Sequence, residues 1–334
     1  MPAPIVTVVV PTLAADDALA DCLRSLESQT FDKFEVIVVD NSGARRAHTE
    51  NPRVRILAND RNVGFGAAIN QAVHASHTPY VATLNDDAVA HPRWLEALVA
   101  AAEARPDAGM CASQVLLAGS GRLDSAGMLI AADGSSKQRG HEQSRDQFDR
   151  STEALCPSGS AALYRRKMLD QIGLFDESFF LYCEDTDLGL RARRAGWECA
   201  YVPAAVVEHR YSHSAGRATP LKAYYVERNR LFTAIKNLPL PMLLLAPFAS
   251  IGRYFWHLFA ILEGRGKLAE YRDAGHSGAL LPFLVLRAHA AALFHLPRLL
   301  SDRRRIRATA RLTPREFRGL LARYSISIRQ VAAL

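Results

Sequence analysis

Cysteine is scarce in this chain and carries no pattern. Cys22, Cys111, Cys156, Cys183 and Cys199 are odd in number, scattered, and nowhere spaced as CxxC. This excludes a zinc ribbon, argues against a disulfide framework, and leads us to expect reduced thiols in a cytoplasmic setting. A basic N-terminal stretch followed by an apolar run is also missing; a strand is expected from Ile5, and no signal peptide. Internal repeats and low-complexity tracts are absent. Long uninterrupted apolar runs are lacking too. Residues 238–262 are broken by Pro241, Pro247, Arg253 and His257, and residues 280–300 by Arg287, His289, His295 and Arg298. A membrane span needs about 20 apolar residues. Amphipathic helices lying in the interface fit better, with a re-entrant or spanning segment as the alternative.

What is present is an ordinary globular composition, 49% hydrophobic and 22% charged over 334 residues, enough for one large domain and an appendage. The formal charge of +7 is unevenly spread. From Ser301 onward nine arginines face only Asp302 and Glu316; residues 235–300 hold seven basic against three acidic groups; the first 234 residues are net acidic by four charges. A basic tail that is also apolar suits an anionic membrane surface and gives no reason to expect a nucleic-acid partner.

Residues 1–115 alternate strand and helix. Strands are expected at 5–10, 35–39, 54–57 and 80–84, and helices at 15–28, 64–76 and 94–105, Pro92 opening the last. Near-continuous apolar strands in repeated βα units predict a mainly parallel sheet covered on both faces, with ligands beyond the carboxyl ends of its strands. Further on we expect short strands and a mobile loop near 133–149, a strand at 157–164, helices at 166–172 and 184–195, and a strand at 198–202. A flexible loop is expected at 211–219 and helices beyond 221. The boundary between a first domain, 1–220, and a helical basic region, 221–334, follows.

Several constellations carry chemistry. Asn85-Asp86-Asp87 ends a strand, and adjacent carboxylates there call for a cation or donors. A hard divalent cation with substrate phosphates would satisfy them; taken alone, the pair also reads as an acidic turn before Pro92. Arg61-Asn62-Val63-Gly64-Phe65-Gly66 lies between a strand and a helix, where backbone N–H groups can meet phosphate or sugar. It imitates a dinucleotide fingerprint, but Ile69 stands where a third glycine belongs and the unit is not the first βα turn. Glu184, Asp185 and Asp187 open a helix among Phe179, Phe180 and Tyr182. The helix dipole accounts for some of them, whereas desolvation would raise a carboxyl towards use as a general base. His209 follows an apolar run; a lone histidine is often only a surface or core residue.

In order and spacing, VTVVVPT, VIVVDNSG, RNVGFGAAIN, LNDDAVAHPRW, PSGSAALYRR, GLFDESFFLYCEDTDLGLRARRAG and VEHRYSHS resemble glycosyltransferase family 2, over about residues 5–215. The nearest resemblance is to its rhamnosyltransferase-like enzymes of bacterial surface-polysaccharide assembly, in which a YYVERNRL-type helix also follows. The resemblance implies an α/β GT-A fold and inverting transfer from a nucleoside-diphosphate sugar, dTDP- or UDP-linked. The implied acceptor is a saccharide or polyprenyl-diphosphate-linked saccharide at the inner face of the cell membrane. It also implies a divalent metal, Mg2+ or Mn2+. By the same resemblance Thr12, Asp40 and Asn41 bind nucleoside, Arg61 and Gly64 lie near base and diphosphate, and Asp86 near ribose or metal-bound water. Asp87 and His209 bind metal, and Asp185 is the base with Glu184 beside it. Asn85 departs from the pattern, where many relatives carry Asp. An inactive nucleotide-sugar-binding scaffold is the rival reading, and a homodimer the rival use of the apolar helices.

Overall fold

The β-branched run Val6–Thr12 becomes the central strand β1 of a ten-stranded mixed sheet. The structure is a computed structural model and describes residues 3–210, 219–262, 271, 275 and 277–333. After β1 come α1 (Asp17–Glu27), β2 (Phe34–Asp40), β3 (Val54–Ala58), α2 (Phe65–His74), β4 (Tyr80–Leu84), β5 (Ala88–Ala90) and α3 (Trp94–Ala104). They are followed by β6 (Ala108–Leu117), β7 (Leu123–Ser125), β8 (Met128–Ile130), β9 (Ser136–Gln138), β10 (Thr152–Glu153), β11 (Ala161–Arg165), α4 (Arg166–Ile172), α5 (Glu184–Arg194) and β12 (Glu198–His209). The sheet order is β10-β12-β6-β11-β4-β1-β2-β3, with β5 on β12 and β7 on β6. β3, β2, β1 and β4 run parallel, as do β6 and β12, whereas β11 is antiparallel to β4 and β6.

Alternation along the strands divides the core. Val6, Val8 and Val10 pack with Leu19, Cys22 and Leu26 of α1 and with Leu95 and Leu98 of α3. Val9 and Ile37 point the other way, the face on which α2 packs against β1 and β2. Strands buried on both sides explain the unbroken apolar runs. The α/β expectation holds, and this is a GT-A-type sheet.

The structure corrects several local expectations. The last strand continues to His209 through a register shift between Val202 and Val206, because β5, only three residues long, gives its end a partner. Residues 133–149 are not a loose loop: they hold β9 and a short 3₁₀ turn, and Asp133 is buried on Arg253. Of the loop expected at 211–219, residues 211–218 lie outside the described residues.

The chain separates into two compact units. The first comprises Met1–Met128, Gln138–Phe180 and Trp197–Ser214, and the second Leu129–Lys137, Leu181–Gly196 and Ala215–Leu334. Beyond the sheet come α6 (Pro220–Asn237), α7 (Leu240–Leu262), α8 (Leu280–Phe294), α9 (Leu296–Ala308), α10 (Pro314–Arg323) and α11 (Ile328–Ala333). One expected helix at 280–300 is thus two, with Pro297 in the first turn of α9 and a 62° bend. No single described helix is long and apolar enough to cross a membrane; α8 and α9 together pass on length and composition alone.

α7 is inverted relative to a soluble helix. Its outward positions Leu240, Leu244, Leu245, Phe248, Ile251, Phe255, Leu258 and Phe259 are apolar, while Ser250 and Arg253 are buried. Arg253 donates to Asp133 Oδ2 (2.7 Å) and Glu227 Oε2 (2.6 Å), and Arg230 to Ser250 Oγ (3.0 Å). The proline and the charge that break its apolar run in sequence therefore do not make it amphipathic in the ordinary sense. Its polar groups face the protein.

Candidate active site

The carboxyl ends of β1, β2 and β4 bring together most of the residues expected to hold the donor. Thr12 ends β1 and donates its hydroxyl to Asp86 Oδ2 at 2.6 Å. Burial, opposed by that hydrogen bond and reinforced by the neighbouring Asp87 charge, pushes the Asp86 carboxyl up to about 6. Asp40 ends β2 and is buried; its oxygens accept N–H groups of Ser42 and Ala47, both at 2.8 Å. Burial works against ionisation there, but these backbone donors outweigh it and hold the group below its ordinary range. Asn41 accepts from Asn59 Nδ2 at 2.9 Å, and its backbone N–H is bound to the Thr12 carbonyl. Arg61 is exposed on the loop before α2.

Gly64 needs to be glycine for a reason other than phosphate. Its φ is 90°, and a Cβ would lie 2.4 Å from the Phe180 carbonyl oxygen. Its N–H is held by Asn62 Oδ1 and that of Phe65 by Phe180 O. Two of the donors that open α2 are thus spent within the protein.

Asp87 meets His209 through strand pairing. β5 begins one residue after Asp87, and its Ala88 pairs with His209. The result is a buried chain: Asp87 Oδ1 lies 3.1 Å from His209 Nε2, and His209 Nδ1 lies 2.8 Å from Asp124 Oδ2. Asn85 Nδ2 lies 3.2 Å from the same Nε2. Burial lowers the His209 pKa, but hydrogen bonds to Asp124 and Asp87 more than reverse this and raise it to about 10. This donor set suits a hard divalent cation. One carboxylate and one imidazole nitrogen face each other, and the other ring nitrogen is already committed to a carboxylate, as in metal-binding histidines. Among the described residues no three His, Cys, Asp or Glu groups converge as a metal cluster. Donor phosphates and water would have to complete the shell.

In the second unit, α5 opens with Glu184 and Asp185 after a tightly held turn. Tyr182 and Cys183 have φ of 71° and 67°, where side chains are disfavoured. Asn229 of α6 holds this turn by donating to the carbonyls of Leu181 and Tyr182, both at 2.8 Å. Asp187, one turn into α5, is tied to Lys236 (2.9 Å), Asn237 (2.8 Å) and Arg191 (2.9 Å). Asp185 is half-buried in the first turn of α5, where the dipole favours a carboxylate, and accepts from the adjacent Thr186 N–H at 2.6 Å; the N-cap itself, Cys183, makes no side-chain cap. Glu184 is buried, and its Oε2 has no hydrogen-bond partner. Burial, and next the Asp185 charge, push its carboxyl up to about 8.

A family model described as glycosyl transferase family 2 matches residues 7–173. The chain belongs to glycosyltransferase family 2. It is 31% identical over 250 residues to the N-acetylglucosaminyl-diphospho-decaprenol L-rhamnosyltransferase of Mycobacterium tuberculosis, covering 66% of this chain and 81% of that one. Among solved structures it is similar to the mannosyltransferase PcManGT of Pyrobaculum calidifontis in complex with GDP-Man and Mn2+. That likeness has a TM-score of 0.50 and 18% identity, over 92% of this chain and 86% of that one. It is also similar to GalNAc-T7 with UDP, GalNAc and Mn2+, with a TM-score of 0.59 and 13% identity, over 75% of this chain and 51% of that one. At these identities the structural likeness is one of fold.

Beyond the residues expected from sequence, Asp124 packs on His209 and His141 on Asp124 in the first unit of this family 2 glycosyltransferase, and Asn229, Lys236 and Asn237 hold the start of α5 in the second. Asp124 lies in a Gly- and Ser-rich stretch without clear periodicity, and nothing in the sequence singles it out. Asn229 sits in the VERNRL run, midway along α6, a pattern that does not announce what its amide grips.

Proposed function

We propose that this glycosyltransferase moves a sugar, rhamnose foremost, from a dTDP- or UDP-linked donor to a hydroxyl of a polyprenyl-diphosphate-linked saccharide, with inversion. The observation that carries this reading is the buried Asp87–His209 pair at the edge where the parallel strands end. The named activity of the mycobacterial relative supports the sugar and the lipid-linked acceptor. Asp87 and His209 would hold Mg2+ or Mn2+, with Asp86, tied to Thr12, kept for the ribose or metal-bound water. Such a cation, when bound, acts as a Lewis acid that neutralises charge on the departing diphosphate. Thr12, Asp40, Asn41, Arg61 and Gly64 line the nucleoside and diphosphate side. Asp185 takes the acceptor hydroxyl proton as that oxygen bonds to the anomeric carbon and the bond to the diphosphate oxygen breaks. One displacement inverts the centre and needs no nucleophilic Ser or Cys. A second assignment of the base has its own support: a carboxyl near 8, as at Glu184, is well matched to proton transfer around neutral pH.

The setting in this proposal is the cytoplasmic face of a membrane. The inverted α7 supports it, since lipid is the solvent in which an apolar exterior and a polar interior are both satisfied. Arg298, Arg304, Arg305 and Arg307 are exposed on α9, where anionic headgroups would meet them. A homodimer through the same apolar face would instead appear as a concentration-dependent mass in sedimentation.

The test is transfer itself. Purified protein is given dTDP-rhamnose or UDP-sugars with a GlcNAc-diphosphoprenyl acceptor, in Mn2+ or in excess EDTA. The expected result is product from one donor class, lost in EDTA and restored by Mn2+. Transfer indifferent to EDTA removes Asp87 and His209 from their metal role. A protein that binds donor yet never turns over is the inactive scaffold.

A further inference from the structure

Asp124 is a costly residue for its place. It lies in the middle of the three-residue strand β7 and is only 2% exposed. Its two oxygens are used separately. Oδ2 lies 2.8 Å from His209 Nδ1, while Oδ1 lies 3.2 Å from His141 Nδ1, which is also 3.1 Å from the Asp124 backbone carbonyl. β7 itself is anchored to β6 by antiparallel pairing at Val115 and Leu116, and β6 lies alongside β12, the strand that ends in His209. The carboxylate is therefore fixed by two strands and a second imidazole before it ever meets His209. With Nδ1 committed to Asp124, Nε2 is the nitrogen turned to the other partners, 3.1 Å from Asp87 Oδ1 and 3.2 Å from Asn85 Nδ2.

We propose that Asp124, steadied by His141, is a positioning residue that fixes the ring angle of His209 and so presents its Nε2, together with Asp87, to a divalent cation. The inference rests on the metal reading given above. A cation held there would need the Nε2 lone pair, so a proton on Nε2 would pass to solvent while the Nδ1 proton stayed on its bond to Asp124. A purely architectural ion pair joining β7 to β12 would account for the burial. It would not require that Asp124 act on metal only through His209.

A double-mutant cycle on the full chain separates the two. Mn2+ binding in the presence of dTDP or UDP is read by loss of the free Mn2+ EPR signal, alongside thermal unfolding, for wild type, Asp124→Asn, His209→Gln and the double variant. Loss of such a supporting carboxylate weakens metal affinity by about 10–100-fold. The expected result is weakening in that range for Asp124→Asn, and no further weakening when it is added to His209→Gln. An undiminished affinity in folded Asp124→Asn, or effects of the two changes that simply add, overturns the proposal. If wild type takes up no Mn2+, the metal reading beneath it falls as well. Should Asp124→Asn not fold, Mn2+ soaked into wild-type crystals gives the answer from its anomalous peak. A peak on Nε2 with Nδ1 still on Asp124 supports the proposal, and a peak on Asp124 or Nδ1 defeats it.

Discussion

Replacing Glu227 by Gln should loosen α6 and α7 markedly. Glu227 accepts from Arg230, from Arg253 Nη2 at 2.6 Å and from Tyr254 at 2.5 Å. Asp133 takes Arg253 Nε at 2.7 Å and lies 3.6 Å from Arg230 Nη1. Two buried cations thus face two buried anions, and Arg230 is only 2% exposed. Gln keeps the volume but leaves one guanidinium charge uncompensated and turns an amide N–H₂ towards it. Removing one member of such a buried pair costs about 3–5 kcal/mol. At about 1.4 kcal/mol per decade that is a loss of roughly 10²- to 4 × 10³-fold in hydrogen-exchange protection across residues 227–254. Tyr254→Phe, which leaves both charge pairs intact, should cost only about 1 kcal/mol. The pH dependence has a defined sign. Burial raises the Glu227 carboxyl, but the two guanidinium groups more than offset this and hold it well below the usual range. Its contribution is therefore present above the unfolded carboxyl value of about 4.3 and fades only as pH falls below that. Protection in Glu227→Gln within about fivefold of wild type would refute the reasoning.

Three further outcomes are expected. Asp185→Asn should lower kcat by about 10²–10⁴-fold with donor binding little changed; if Glu184→Gln is instead the inactive variant, and wild-type kcat/KM climbs towards pH 8, Glu184 is the base. Glu184 binds its proton more tightly folded than unfolded, so wild type should lose a few kcal/mol of stability as pH rises from about 4.5 through 8. Urea titrations should show that Glu184→Gln lacks this slope. Phe248→Glu, at a side chain 72% exposed, should cut partitioning onto acidic liposomes by about tenfold or more, since a buried Phe is worth about 1.5–3 kcal/mol; flotation unchanged by the substitution would count against α7 as the docking face.

The sheet was legible because parallel strands buried on both faces leave long β-branched runs, as in Val6–Thr12 and Phe34–Asp40. The candidate site was legible where it sits at strand ends, in Thr12, Asp40 and Asp86-Asp87. What joins Asp87 to His209 was not, because β5 is three residues long and pairs with a strand more than a hundred residues away. Asp124 was hidden for the same reason: its partner on β12 is remote and its own strand too short to show a period. Gly64 shows the converse. Its sequence context suggested phosphate, whereas the backbone of Phe180 is what excludes a side chain there. α7 misled by composition: Arg253 and Pro247 interrupt its apolar run, yet Arg253 points inward to partners that no local pattern announces.

The most direct test of the account is the anomeric configuration of the product. Turnover of a sugar nucleotide whose anomeric form is known, with a GlcNAc-diphosphoprenyl acceptor and Mn2+, is followed by NMR of the anomeric proton and carbon. Direct displacement with a carboxylate base at the start of α5 predicts a linkage of configuration opposite to the donor. A product that keeps the donor configuration contradicts the single-displacement mechanism and the roles given to Asp185 and Glu184.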